Sequence, residues 1–245
     1  MTLIDFDKAQ NAAQNCLLVG VDEAGRGPLA GPVTACACYI PPELYTHPLM
    51  SKINDSKKLT PQKREMIFNE LITLPIIYCT GYASAAEIDK VNILQATFLA
   101  MRRALSKFKN KNISVLIDGN KIIPNLTAPQ KAIVKGDGTS LCVAAASIIA
   151  KVSRDKFMDL SAKIYPDYKF EEHKGYGTKS HTDLIEKYGP CPLHRKTFAI
   201  LGSIETRGAL CPSSHLDTAI CDTPRISAKS DCDSLDFSRS CLSFW

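Results

Sequence analysis

Leu17-Leu18-Val19-Gly20-Val21-Asp22-Glu23-Ala24-Gly25-Arg26-Gly27-Pro28-Leu29-Ala30-Gly31-Pro32 is the stretch on which the fold turns. Leu17 to Val21 is a short apolar run that ends at two acids; Pro32 to Ile40, rich in β-branched residues and cysteine, follows a glycine-studded turn. Two such runs about a turn predict a hairpin-like strand pair. Asp22 and Glu23 are adjacent, so a regular strand sends their side chains to opposite faces, and both reach one site only if the strand ends there. The glycines at 25, 27 and 31 make such an end plausible, and the geometry favours Asp22 over Glu23.

Outward from this pair, strands and helices alternate. Thr60-Pro61 is an N-cap with proline at the first helical position, opening a helix to about Leu74, and Pro75 to Tyr82 returns as a strand. Ser84-Ala85-Ala86-Glu87 has the form of a capping box, and Leu94, Phe98, Met101 and Leu105 recur at helical spacing. Ile113 to Ile117 is a strand running into Asp118-Gly119-Asn120, and Ala132 to Val134 is another running into Lys135-Gly136-Asp137. An alanine-rich helix from 141 to 152 continues towards Asp155, and Thr182 to Lys187 suggests a shorter one. There is no internal repeat. The pattern predicts an α/β domain with a mixed central sheet flanked by helices. Ligands of such sheets sit beyond the strand C-termini, where Asp22, Glu23, Asp118 and Asp137 fall.

Composition narrows the class. The 245 residues are 45% hydrophobic and 22% charged, enough for a packed core and unlike a disordered chain. No apolar stretch nears the roughly 20 residues of a membrane span; Leu141 to Ala150 is the best candidate. The acids of the N-terminus are unlike an export signal, so a cytoplasmic location is expected. Cys16, Cys36, Cys38, Cys79, Cys142 and Cys191 are dispersed, mostly in apolar runs, and read as small core hydrophobes. Cys211, Cys221, Cys232 and Cys241 lack the close pairs of a zinc ribbon. Residues 205 to 245 hold eight serines and six acids against four bases without periodicity, and read as a disordered tail beyond a domain at 1–204. Of the net charge of +5, the domain alone carries +7, from 26 basic and 19 acidic residues, a bias compatible with a nucleic-acid partner. A monomer is expected, since one core-sized domain suffices.

Four carboxylates from three strand ends converge at low cost only around a cation, because like charges at short range suppress one another's ionisation. Oxygen donors select hard ions such as Mg²⁺ or Mn²⁺, and two such ions suit phosphodiester hydrolysis. Aspartates that merely cap turns are the plainer account of the spacing. Gly25-Arg26-Gly27 lets backbone approach a ligand while the guanidinium reaches a phosphate, although an isolated triplet is more often an ordinary turn. Lys57 and Lys58 in Asp55-Ser56-Lys57-Lys58 are phosphate donors or a solvated face. His173-Lys174-Gly175-Tyr176-Gly177 offers Lys174 to a phosphate and Tyr176 to a sugar or base, unless Tyr176 is a buried core residue. Asp155, four residues after Lys151, reads as an intrahelical ion pair.

Taken in order, residues 21–32, Asp55-Ser56-Lys57-Lys58-Leu59, Ile117-Asp118-Gly119-Asn120, Lys135-Gly136-Asp137, Ala144 to Asp155 and His173-Lys174-Gly175-Tyr176 resemble bacterial ribonuclease HII, over about residues 15 to 203. The resemblance implies an RNase H-like fold with a small C-terminal helical region, and endonucleolytic hydrolysis of the RNA strand of RNA–DNA hybrids. It also implies cutting 5′ of single ribonucleotides in duplex DNA, leaving 3′-hydroxyl and 5′-phosphate ends, with Mn²⁺ or Mg²⁺. The family's four acids map onto Asp22, Glu23, Asp118 and Asp137. The segment that reads the ribose 2′-hydroxyl maps onto Gly25, Arg26 and Gly27, and the junction tyrosine onto Tyr176. Alternatives are a ribonuclease HIII-like enzyme, a catalytically silent hybrid-binding module and a DNA-only nuclease. The tail after Glu205 has no counterpart in this resemblance.

Overall fold

The computed structural model describes residues 1–12 and 16–198; the serine-rich tail expected at 205–245 lies outside them. The chain opens with α1 (Leu3–Ala12), then β1 (Leu17–Ala24) and β2 (Val33–Tyr39), two short 3₁₀ turns, and α2 (Pro61–Leu71). Next come β3 (Ile77–Ala83), α3 (Ala85–Leu105), β4 (Ile113–Asp118) and β5 (Gln130–Ile133), then α4 (Leu141–Ile164), α5 (Phe170–His173) and α6 (Lys179–Tyr188). The sheet order is β3-β2-β1-β4-β5. β2 pairs antiparallel with β1 and β3, whereas β4 runs parallel to β1 and β5. This is the expected mixed sheet flanked by helices.

Alternation sorts the strands into two faces. Val19, Val21, Val33, Ala35 and Ala37 pack with Phe98, Met101 and Leu105 of α3. Cys36, Cys38 and Ile40 pack on the opposite face with α4 and α2. Cys36, Cys38 and Cys142 are fully buried, as small core residues. Gly20 lets α4 touch β1, since a Cβ there would lie 2.2 Å from the Cys142 carbonyl carbon.

The helix caps expected from sequence form: the Thr60 hydroxyl accepts the Lys63 amide, and Ser84 and Glu87 complete a capping box. Several boundaries differ. α2 stops at Leu71, where Ile72, Thr73 and Leu74 donate backward into closing turns. Helix α3 kinks at Asn92 (φ 67°), whose side chain accepts the Leu94 and Gln95 amides and restarts the helix just where the apolar periodicity begins. α4 runs nine residues past Asp155, to Ile164, because its apolar face continues through Met158 and Ala162 onto a second small core with Tyr168 and Phe170. α1 was not apparent from sequence. Its buried Asp7 accepts the amide of Cys142, capping α4 from outside that helix. Among the described residues no helix is long and apolar enough to cross a membrane.

Candidate active site

Val21 pairs with Ile117, so Asp22 and Asp118 follow at the carboxyl ends of neighbouring parallel strands. Asp22 shares the α4 face with Gly20, and its carboxyl lies within hydrogen-bond reach of Ser147 of α4. The pairing of β1 with β4 ends at Val21, but its pairing with β2 continues to Ala24. β1 therefore does not end at the two acids, and Glu23 holds the alternate position. Asp137 enters from the 3₁₀ turn between β5 and α4.

The acids act on one another. Burial, then the charges of Glu23 and Asp118, push the Asp22 carboxyl well above its ordinary range. Burial raises Glu23 against the opposing pull of Arg26, and burial and Asp118 raise Asp137. Asp22 and Asp137 are each 4% exposed, too little for water to screen this repulsion. Asp55 adds a fifth carboxyl, hydrogen-bonded to Asp137. Its sequence signal was an acid in a loop already read for phosphate, without the proximity that only folding supplies.

Several carboxylate oxygens are held by the protein. Asp22 Oδ1 accepts the Glu23 amide at 2.7 Å, and Asp118 Oδ1 accepts the Gly136 amide at 2.7 Å. Glu23 Oε1 meets Arg26 Nη1 at 3.2 Å, while Glu23 Oε2 is buried with no hydrogen-bond partner. Among the described residues no group of three or more His, Cys, Asp or Glu is placed, as the side chains stand, to hold a metal ion. The chemistry of the donor set nevertheless suits a hard divalent cation: the donors are all oxygen, Arg26 and Lys57 offset only part of their charge, and one buried oxygen is unpartnered.

The other expected site residues divide. Lys57 Nζ lies 3.8 Å from Asp137 Oδ2, on a mostly exposed side chain. Lys58 is exposed on the same turn. Arg64, buried beneath, donates to the carbonyls of Ser56 and Leu59, and fixes that turn. Tyr176 is 42% exposed and hence not a core tyrosine, with Lys151 and Arg154 5.6 and 5.8 Å from its ring centre. Lys174 is committed elsewhere: its ammonium pairs with Asp159 and donates to the Glu171 carbonyl. Asp155 forms the expected ion pair with Lys151, at 2.7 Å.

Sequence reasoning missed the supports. Arg154 and Arg195 are fully buried and hold the 25–32 loop by its carbonyls. Burial lowers both, Arg195 to about 9, which leaves Arg195 charged at neutral pH. Beneath the Tyr176 loop His173 stacks on His181, and His194 lies tilted against His181. Arg154 stands in the polar stretch Lys151-Val152-Ser153-Arg154-Asp155-Lys156 of α4, so nothing local marks it as buried.

This sheet order, with acids gathered at the parallel strand ends, defines the RNase H-like class of nucleases. Ribonuclease H2 from Pyrococcus horikoshii OT3 superposes with a TM-score of 0.62 at 28% identity, covering 78% of this chain and 97% of that one. The chain belongs to the ribonuclease HII family, whose model matches residues 19–201. The ribonuclease HII of Caldicellulosiruptor saccharolyticus is 51% identical over 181 residues, 74% of this chain and 86% of that protein. That of Fusobacterium nucleatum subsp. nucleatum is 53% identical over 186 residues, 74% and 85% respectively.

Proposed function

We propose that the protein hydrolyses the RNA strand of RNA–DNA hybrids and nicks duplex DNA 5′ of a single ribonucleotide, leaving 3′-hydroxyl and 5′-phosphate ends. The observation that carries this reading is the gathering of Asp22, Glu23, Asp118 and Asp137 beside the Gly25-Arg26-Gly27 loop, which puts a phosphodiester-cleaving donor set next to an open backbone. Asp22, Glu23, Asp118 and Asp137 would hold Mn²⁺ or Mg²⁺. When bound, a pair of such ions supplies an activated water and charge neutralisation at the leaving oxygen.

The chain's own residues do the rest. The buried, mutually repelling carboxylates favour a divalent cation over bare charge. Lys57 and Lys58 reach for the phosphate backbone from the turn that Arg64 fixes, and Arg26 lies at the same edge. Gly27 has no heavy atom within 4 Å of where a Cβ would stand, so a sugar edge can approach its backbone directly. Half-exposed Tyr176 offers a ring face to the neighbouring nucleotide, and the cations behind it hold that ring in place.

Replacing Asp22 or Asp137 by Asn removes one anionic ligand while keeping shape. Each variant is expected to fold, by circular dichroism, and to lose at least about 100-fold in cleavage of a single-ribonucleotide duplex. Full activity in both would contradict the assignment.

A further inference from the structure

Arg154 and Arg195 are both 0% exposed, and among the described residues neither forms an ion pair with a carboxylate. A buried charge without a counter-ion is costly and is tolerated only where dipoles replace water. Here those dipoles are backbone carbonyls of one loop. Arg195 Nε and Nη2 donate to Gly31 O at 3.0 and 2.9 Å, Nη2 also to Gly25 O at 2.5 Å, and Nη1 to Arg26 O at 2.9 Å. Arg154 donates to the carbonyls of Pro32, Ala30 and Lys174, each at 3.0 Å. One guanidinium therefore ties the start of the loop to Gly31 near its end, and the other ties the loop's end to the segment carrying Tyr176.

A trans peptide unit points its N–H opposite to its C=O. Drawing the carbonyls of Gly25 and Arg26 inward onto Arg195 therefore turns the amides of Arg26 and Gly27 outward. The glycines divide in the same way. Gly25 (φ 90°) has no room for a Cβ, which would lie 2.0 Å from Arg154 Nε, whereas a Cβ at Gly27 would meet open space. The inner glycine admits the arginines, and the outer one leaves the amide face uncovered.

We propose that Arg195 is the positioning residue for ribonucleotide discrimination: its buried guanidinium, backed by Arg154, aims the Arg26 and Gly27 amides at the ribose 2′-hydroxyl. This rests on the functional reading above and assigns the selectivity of that site to a side chain that touches no substrate. Arginine serves this role better than lysine, because a planar fork can engage three carbonyls at once and an ammonium cannot hold them in one plane.

The test uses the full chain in EDTA, so that binding is read without cleavage. Kd is measured for a DNA duplex with one ribonucleotide and for its all-deoxy twin, for wild type, Arg195→Met and Arg195→Lys. The wild-type preference is expected to be about fivefold or more, of the size one hydrogen-bonded group supplies. In Arg195→Met the ratio of the two constants should fall towards one, while Kd for the all-deoxy duplex moves less than about threefold. Arg195→Lys should lie between. A merely structural role would weaken both Kd values alike through the folded fraction, and a wild-type ratio kept in the variants overturns the inference. If Arg195→Met does not fold, the ratio in Arg195→Lys decides alone. No preference in the wild type would overturn the functional reading itself, and this inference with it.

Discussion

Gly25 and Gly27 show how two identical residues, two positions apart, carry opposite constraints. Gly25→Ala must fit a Cβ at φ 90° against the Arg154 guanidinium, so it should lower the unfolding midpoint markedly, by an amount equivalent to about 2 kcal/mol or more. Gly27→Ala meets nothing, so calorimetry should find stability within about 0.5 kcal/mol of wild type. Cleavage at a single ribonucleotide should still fall about tenfold or more, because the methyl covers the amide face. The carboxylates give a second residue-scale expectation. A carboxyl with a raised folded pKa contributes stability below its unfolded value, and loses it as pH rises through the folded one. At pH 7 without divalent ions Asp22 is therefore a liability, and Asp22→Asn should raise the midpoint by about 2–4 °C for each ~1 kcal/mol relieved. The sequence makes the four acids and the Gly-Arg-Gly triplet legible. It does not show Asp55 against Asp137, or the arginines under the loop, because each contact joins residues far apart in the chain or hidden in helical periodicity.

At the scale of elements, the α5–α6 region hides a histidine chain with one consistent set of tautomers. His181 Nδ1 faces the Tyr176 carbonyl at 2.9 Å and so carries the proton, leaving its Nε2 to accept from His194 Nε2 at 3.1 Å. His194 Nδ1 then accepts the Cys191 amide at 2.9 Å. His173 Nε2 donates to the Tyr168 carbonyl, and its Nδ1 accepts from Gly175. Burial, most of all, lowers His181 and His194 to about 4. Nitrogen-15 NMR should show all three rings neutral, with Nδ1–H only at His181, and His181 and His194 not titrating above about pH 5. Midpoints near 6.5 would contradict this arrangement. The unfolded chain takes up these protons near pH 6.5 and the folded rings only near 4, so their contribution falls as pH drops across that window. At pH 5 the loss is about 2 kcal/mol for either ring alone. Local signals wrote most helix starts into the sequence, as at Thr60 and Ser84. The ends were less legible, since α4 is extended by a core built from residues that follow it.

For the whole molecule, the basic surplus sets how the protein meets a polyanion. Binding of a hybrid should weaken linearly in log salt, with a slope of about −0.9 per phosphate neutralised. Lys57→Ala should reduce that slope by about one, since Lys57 is mostly exposed and only loosely opposed by Asp137. Lys174→Ala should change it less, because that ammonium is already paired with Asp159. Sequence gave both lysines the same role, and only the fold separates them. The architecture was legible because its parallel strands end on acids and its hairpin opens the sheet; the pairing of β1 with β4 was not, since no local pattern spans the hundred or so residues between them.

The most direct test is cleavage of a labelled DNA duplex carrying one ribonucleotide, with Mg²⁺, Mn²⁺ or EDTA, the cut being mapped beside an all-deoxy control. A nick on the 5′ side of the ribonucleotide that needs the divalent ion and is absent from the control is the predicted result. Equal cutting of the all-deoxy duplex, or a cut that persists in EDTA, would contradict the account.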